Sequence, residues 1–256
     1  MDIFRLFLAT IIQHKVWIVW TLLLVVGALV FPTMTPWEQE PSLIEPARAH
    51  TAWVLFWLIC LTWGLYQAAA IGTRLRRDGL GDYFASQGTG QLSQLFQGWS
   101  AVMVFVIGFT LITGAITIFG ASPAAEDQAT AWSHLTLQYM LLAGISIGSL
   151  VFLAVSLGTR VGSTVAYLVT LGLGLHGLYG VGYLRMFSRE SGSPVADTLW
   201  TVSPHFHLAD LTHRLVFKSG QLTSSTFFDI LIYLLGVALV LLGISAIAFN
   251  SRQSSK

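Results

Sequence analysis

Two groups of residues in this chain combine types and spacing that suit chemistry. The first is Gly144-Ile145-Ser146-Ile147-Gly148, a G-x-S-x-G match with His176 on the following apolar stretch. It would serve a serine hydrolase if a strand turned sharply into a helix at the serine. The second is His205, His207, Asp210 and His213, four groups within nine residues. H-x-H spacing on extended backbone brings two imidazoles to one transition metal. On a helix starting near His207, Asp210 and His213 fall on one face. Both readings have a plainer rival. A serine inside an apolar helix has no free amides around it to form an oxyanion hole. A wet amphipathic helix with Leu208, Leu211 and Leu215 turned inward accounts for the histidine-rich segment, so His205, His207 and His213 remain a secondary metal reading.

The elements that position these residues are six apolar stretches: 16–31, 51–72, 99–121, 135–158, 163–183 and 230–249. None contains Asp, Glu, Lys or Arg. A hydrocarbon core about 30 Å thick needs roughly 20 helical residues, and backbone amides in lipid must bond within their own segment. The chain is therefore expected to be all-α and polytopic, one transmembrane domain over 1–256. The first stretch ends early at Pro32. Before it, Ile3, Phe4, Phe7, Leu8 and Ile11 recur at helical steps among Arg5, Gln13 and Lys15, which fits a short interfacial helix over 1–15 or an extension of the first crossing.

Counted over alternate connections, eight Lys and Arg fall on one side and five on the other. The richer side is expected in the cytoplasm, with both termini there. The acidic residues sort the same way, giving +5 inside and −4 outside against an overall +1. Ion-coupled transporters, proton pumps and voltage sensors need ionisable groups at membrane depth. The only titratable side chain deep in a span other than tyrosine and cysteine is His176, whose expected partner is a carbonyl or hydroxyl of a neighbouring helix. The chain also lacks the G-x-x-x-x-G-K-[ST] phosphate loop, so energy for transport must come from a partner ATPase.

Such a partner would dock on the cytoplasmic loop 73–98, which contains Arg74, Arg76, Arg77 and Tyr83. A turn at Gly88-Thr89-Gly90 is expected to lead into a short helix with Leu92, Leu95 and Phe96 on one side, available to a groove on the motor. Gly144, Gly148 and the glycines at 172, 174, 177, 180 and 182 are expected at close helix contacts. Thr62, Thr110, Thr113, Thr117, Ser146 and Ser149 are candidates to line a path.

These features together resemble the permease subunits of type-2 ABC transporters, mostly exporters. The stretch Ile3–Lys15 resembles the family's elbow helix. Arg74–Asp78, Tyr83 and Gly88-Thr89 resemble its coupling loop, although Gln87 stands where the family usually has glutamate. Ser203-Pro204-His205-Phe206-His207-Leu208-Ala209-Asp210-Leu211 resembles the external hairpin before the last helix, and Arg252 the basic tail. The resemblance implies a half-transporter in the inner (plasma) membrane, paired with a second permease copy or a paralogue and with two ATPase subunits. The partner subunits would hold ATP and Mg, and this chain would hold no cofactor. It implies an external loop over 186–228 with Pro204, His205, His207 and Asp210 as a gate. Membrane lipid is an expected partner and nucleic acid is not. Two alternatives stay open: a non-transporting scaffold that anchors an ATPase, and the intramembrane hydrolase.

Overall fold

The computed structural model describes residues 2–34 and 41–251 of the chain, the last part of the basic tail lying outside. It is all-α, with no strand among the described residues and six helices long and apolar enough to cross a membrane. In chain order the elements begin with α1 (Ile3–His14), α2 (Val16–Val30), α3 (Pro41–Ile59), α4 (Leu65–Arg77), α5 (Leu80–Ser86) and α6 (Gln91–Ala115). They continue with α7 (Glu126–Val161), α8 (Ser163–Leu175), α9 (Val181–Ser191), α10 (Pro194–Val202), α11 (Thr212–Val216) and α12 (Ser224–Ala248). Three crossings contain a π-helical segment, at Cys60–Gly64, Ile116–Gly120 and His176–Gly180. Each therefore runs on as one continuous helix: α3 into α4, α6 into its own π end, and α8 into α9.

The break between α1 and α2 settles where the first crossing starts. Lys15 takes a left-handed backbone, φ 56°, which ends the i to i−4 ladder and turns the chain. Ile3, Phe7 and Ile11 point inward, and the Phe4 amide donates to Gln97 Oε1 on α6 at 3.3 Å. α1 is thus a separate amphipathic helix rather than an extension of α2. Pro32 does not end the first crossing either, because a 3₁₀ turn, Phe31–Met34, carries it on.

α7 is the hub of the bundle, packed against α4, α6, α8 and α12. Its crossing with α4 is close enough that a Cβ on Gly72 would overlap the Val155 carbonyl, and one on Gly158 would overlap the Ala69 carbonyl. Without a hydrophobic drive between helices in lipid, such approach gains dispersion contacts that bulkier residues forbid. Thr73 Oγ adds a bond to the Gly158 carbonyl at 3.0 Å. Of the glycines singled out in the sequence, Gly174 and Gly177 pack against neighbours in this way, whereas Gly144, Gly172 and Gly182 face open space. The pair that sets the tightest crossing, Gly72 and Gly158, was not among them.

The π segments expose carbonyls that neighbouring side chains take up. Trp132 Nε1 donates to the Thr117 carbonyl at 2.9 Å, and Arg48 reaches the Gly120 carbonyl at 3.3 Å. The two ends of the bundle differ in chemistry. One carries Arg74, Arg76, Arg77 and Arg160 with α5, and is called the arginine end below. The other carries α9 to α11 and is called the hairpin end.

Candidate functional site

At the arginine end the expected loop 73–98 is mostly helix. α4 continues through Arg77, and the short helix expected after the turn is the first part of α6. The turn itself is present: Gly88 adopts φ 84° and closes α5, with the Thr89 amide donating to the Phe84 carbonyl at 3.0 Å, the C-cap geometry that glycine favours. This changes the roles of the expected docking residues. Leu95 is fully buried in the core, so it presents nothing to a partner. Phe96 is half-exposed and packs edge-on against Trp99 and Phe152 on the side of the bundle. Arg76 donates to the Thr159 carbonyl at 2.8 Å, where its charge faces the negative end of α7. Arg160 does the same for α12 through the Ala248 carbonyl.

Of the expected docking residues, Arg74, Arg77, Tyr83 and Leu92 are left exposed at this end, beside the exposed Asp78. What holds them in place was not apparent in the sequence. Gln94 is completely buried at the start of α6, and its side-chain amide donates to the carbonyls of Gly81 and Thr89 at 3.0 and 3.1 Å. It staples α5 to α6. Gly81 then lies against Ser251 so closely that any Cβ there would overlap it.

At the hairpin end the segment 203–216 is not a single amphipathic helix. A 3₁₀ turn, Phe206–Ala209, stops at Asp210, which leaves helical backbone at φ −86°, ψ 97°. The physical reason is the carboxylate. Asp210 Oδ1 accepts from the Thr212 amide at 3.1 Å, from the Thr212 hydroxyl and from the Tyr139 hydroxyl at 2.5 Å. Tyr139 is buried in α7, stacked on Trp53 with centroids 3.7 Å apart, and accepts from Trp57 Nε1 at 2.9 Å. A carboxylate brought against the bundle needs several donors to offset its lost hydration, and the Trp57–Tyr139–Asp210–Thr212 chain supplies them. Only Asp210 of these four was singled out from the sequence.

His213 is exposed to solvent. No three His, Cys, Asp or Glu residues among the described ones gather as a metal set, and the rings of His205 and His207 lie 5.4 Å apart. His205 instead ties the segment to α12 and α10. Its amide donates to the Tyr233 hydroxyl and its Nε2 pairs with the Trp200 carbonyl, both at 3.0 Å. Pro204 sits over Gly177, where a Cβ would collide with Phe206 and the Pro204 carbonyl. Near the same π segment, burial first, and then His205, hold the His207 imidazole below the ordinary value near 6.5.

The hydrolase pair does not form. Ser146 Oγ donates to the Leu142 carbonyl at 3.0 Å inside the unbroken α7, and His176 Nε2 pairs with Ser203 Oγ at 3.0 Å. That partner is the hydroxyl expected for a membrane histidine. Thr113, Thr117 and Ser146 are buried in helix packing rather than lining a path, while Thr110 and Ser149 do line a groove. The chain matches no family model, no curated protein and no solved structure.

Proposed function

We propose that the chain is the membrane-spanning permease subunit of an ATP-driven transporter of the type-2 ABC class, acting as an exporter in the inner (plasma) membrane. A separate ATPase binds its arginine end, and a second copy or a paralogue completes the pathway. The observation that carries this reading is the mounting of α5. A short helix between two crossings, stapled by the buried Gln94 and presenting Tyr83 outward, with Arg74 of α4 and Leu92 of α6 exposed on either side of it in the chain, is suited to transmit a push from a soluble motor into α4 and α6. A bundle with no charge at depth and no nucleotide loop requires such a motor.

In this reading ATP closes the motor, α5 moves with it, and α4 and α6 carry the motion along the bundle. The clamp at Asp210 then belongs to the far gate, because it holds the hairpin segment onto α3 and α7.

Purification in mild detergent tests the proposal. An ATPase that copurifies and is lost with Tyr83→Asp and Leu92→Asp, the bundle staying monodisperse, is the expected result. Copurification unchanged by both substitutions overturns the docking face. An ATPase that binds but drives no ATP-dependent flux in vesicles makes the chain a scaffold.

A further inference from the structure

We infer that the segment following α12, residues 249–251, is a strap between α12 and α5, so that a displacement of α5 is passed to the last crossing as well as to α4 and α6. The strap deepens the transporter reading by naming a route for the motor's push into α12, and only the source of that push rests on that reading.

The end of α12 provides the anchor. Phe249 leaves helical geometry at φ −64°, ψ 126°, and the chain turns back against the bundle, with Phe249 and Ser251 both buried. α7 fastens this stretch at three points. Ser156 Oγ donates to the Ser245 carbonyl at 2.7 Å, Arg160 Nε donates to the Ala248 carbonyl at 2.5 Å, and the Asn250 amide donates to Thr159 Oγ1 at 3.0 Å. The Ala248 carbonyl is one of those that a helix end leaves without an intrahelical donor.

Beyond the anchor, Ser251 is seated on Gly81 of α5. A Cβ at position 81 would overlap both the Ser251 side chain and its carbonyl, so helix and strap touch with no gap. Gly81 is held from a second direction, since its carbonyl accepts from Gln94 Nε2 at 3.0 Å. α5 itself lies between two left-handed glycines, Gly79 at φ 70° and Gly88 at φ 84°, positions where the backbone turns at little cost. With a turn at each end, what α5 pushes on is decided by its side contacts. A close-packed contact passes displacement on, because there is no free volume to absorb it. The receiving crossing is able to respond: α12 packs mainly against α7 and is the least covered of the six.

Amide exchange in the full chain, in mild detergent and without any ATPase, reads both ends of the strap over residues 80–86 and 245–251. Thr159→Val keeps the side-chain shape but removes the acceptor of the Asn250 amide, and so unfastens the strap from α7. Gly81→Ala pushes Ser251 off α5. Either substitution should quicken exchange about tenfold in both segments together, with the middle of α7 unchanged. Gln94→Leu is the control: it loosens α5 from α6 without touching the strap, and should quicken 80–86 alone. If Thr159→Val quickens only 245–251, or Gly81→Ala only 80–86, the inference is overturned, because the two contacts would then be neighbours with no mechanical link. Each variant approaches the strap from one end, so either alone decides it. No ATPase enters the measurement; loss of the strap leaves the docking face standing, and failure to find an ATPase leaves the strap standing.

Discussion

Asp210 is the residue on which the hairpin end turns. Three donors converge on one of its oxygens, two of them the side-chain hydroxyls of Tyr139 and Thr212. Tyr139→Phe removes a donor to a charged acceptor and strands the Trp57 indole, and should cost about 1–3 kcal/mol. A lowered thermal midpoint in detergent checks it, whereas Trp57→Phe should cost less. His207 gives this end a pH dependence of definite sign. Because its folded value lies below the ordinary one, the unfolded chain binds the proton more readily. The contribution is complete above the ordinary value and is lost as pH falls through the folded one. The thermal midpoint should therefore drop as pH falls below the ordinary histidine value, and His207→Phe should flatten that drop. An unaltered slope in this variant would mean that another group sets it.

Among the elements, the α4–α7 crossing and the α5 staple make distinct demands. Gly72→Val or Gly158→Val forces backbones apart at a contact with no room, and should cost at least about 2 kcal/mol. Gly172→Ala, which faces open space, should be neutral or slightly stabilising by comparison. Equal effects in denaturant titrations would show that the crossing is not the tight point. Gln94→Leu keeps the volume of the buried side chain but removes the bonds to the Gly81 carbonyl of α5 and to the Thr89 carbonyl of the turn after it. Amide exchange should then quicken over residues 80–86 while α12 keeps its protection. No change there would mean that the Ser251 contact alone holds α5.

For the whole molecule, orientation is the open physical variable. The positive-inside rule predicts the arginine end in the cytoplasm, and cysteines at Ser86 and Ser225 would lie on opposite sides of the membrane. The native Cys60 is buried and adds no background. On intact cells an impermeant maleimide should label Ser225→Cys and spare Ser86→Cys; the reverse pattern would turn the protein over and move the motor face outside. The α2 and α12 crossings at the flanks are the least covered of the six, and α7 is the most covered. Partners and lipid therefore meet the chain mainly along α2 and α12.

The sequence by itself determined the class and the number of crossings, while the break after α1 was decided by the left-handed backbone at Lys15. Charge exclusion from lipid and the length of an apolar helix are local properties that composition and spacing express directly. It also placed the turn at Gly88, since a left-handed residue there calls for glycine. Which residues share a site was decided only by the tertiary structure. Leu92 and Leu95 are three apart on one helix, yet one is exposed and the other buried, because neighbouring helices set the width of the covered stripe. Gln94, Tyr139 and Trp57 are ordinary polar or aromatic residues in sequence; they matter through partners 13, 71 and 82 positions away. Those partners are fixed by how the helices cross, and the crossing angle depends on packing between faces that no single stretch of sequence contains.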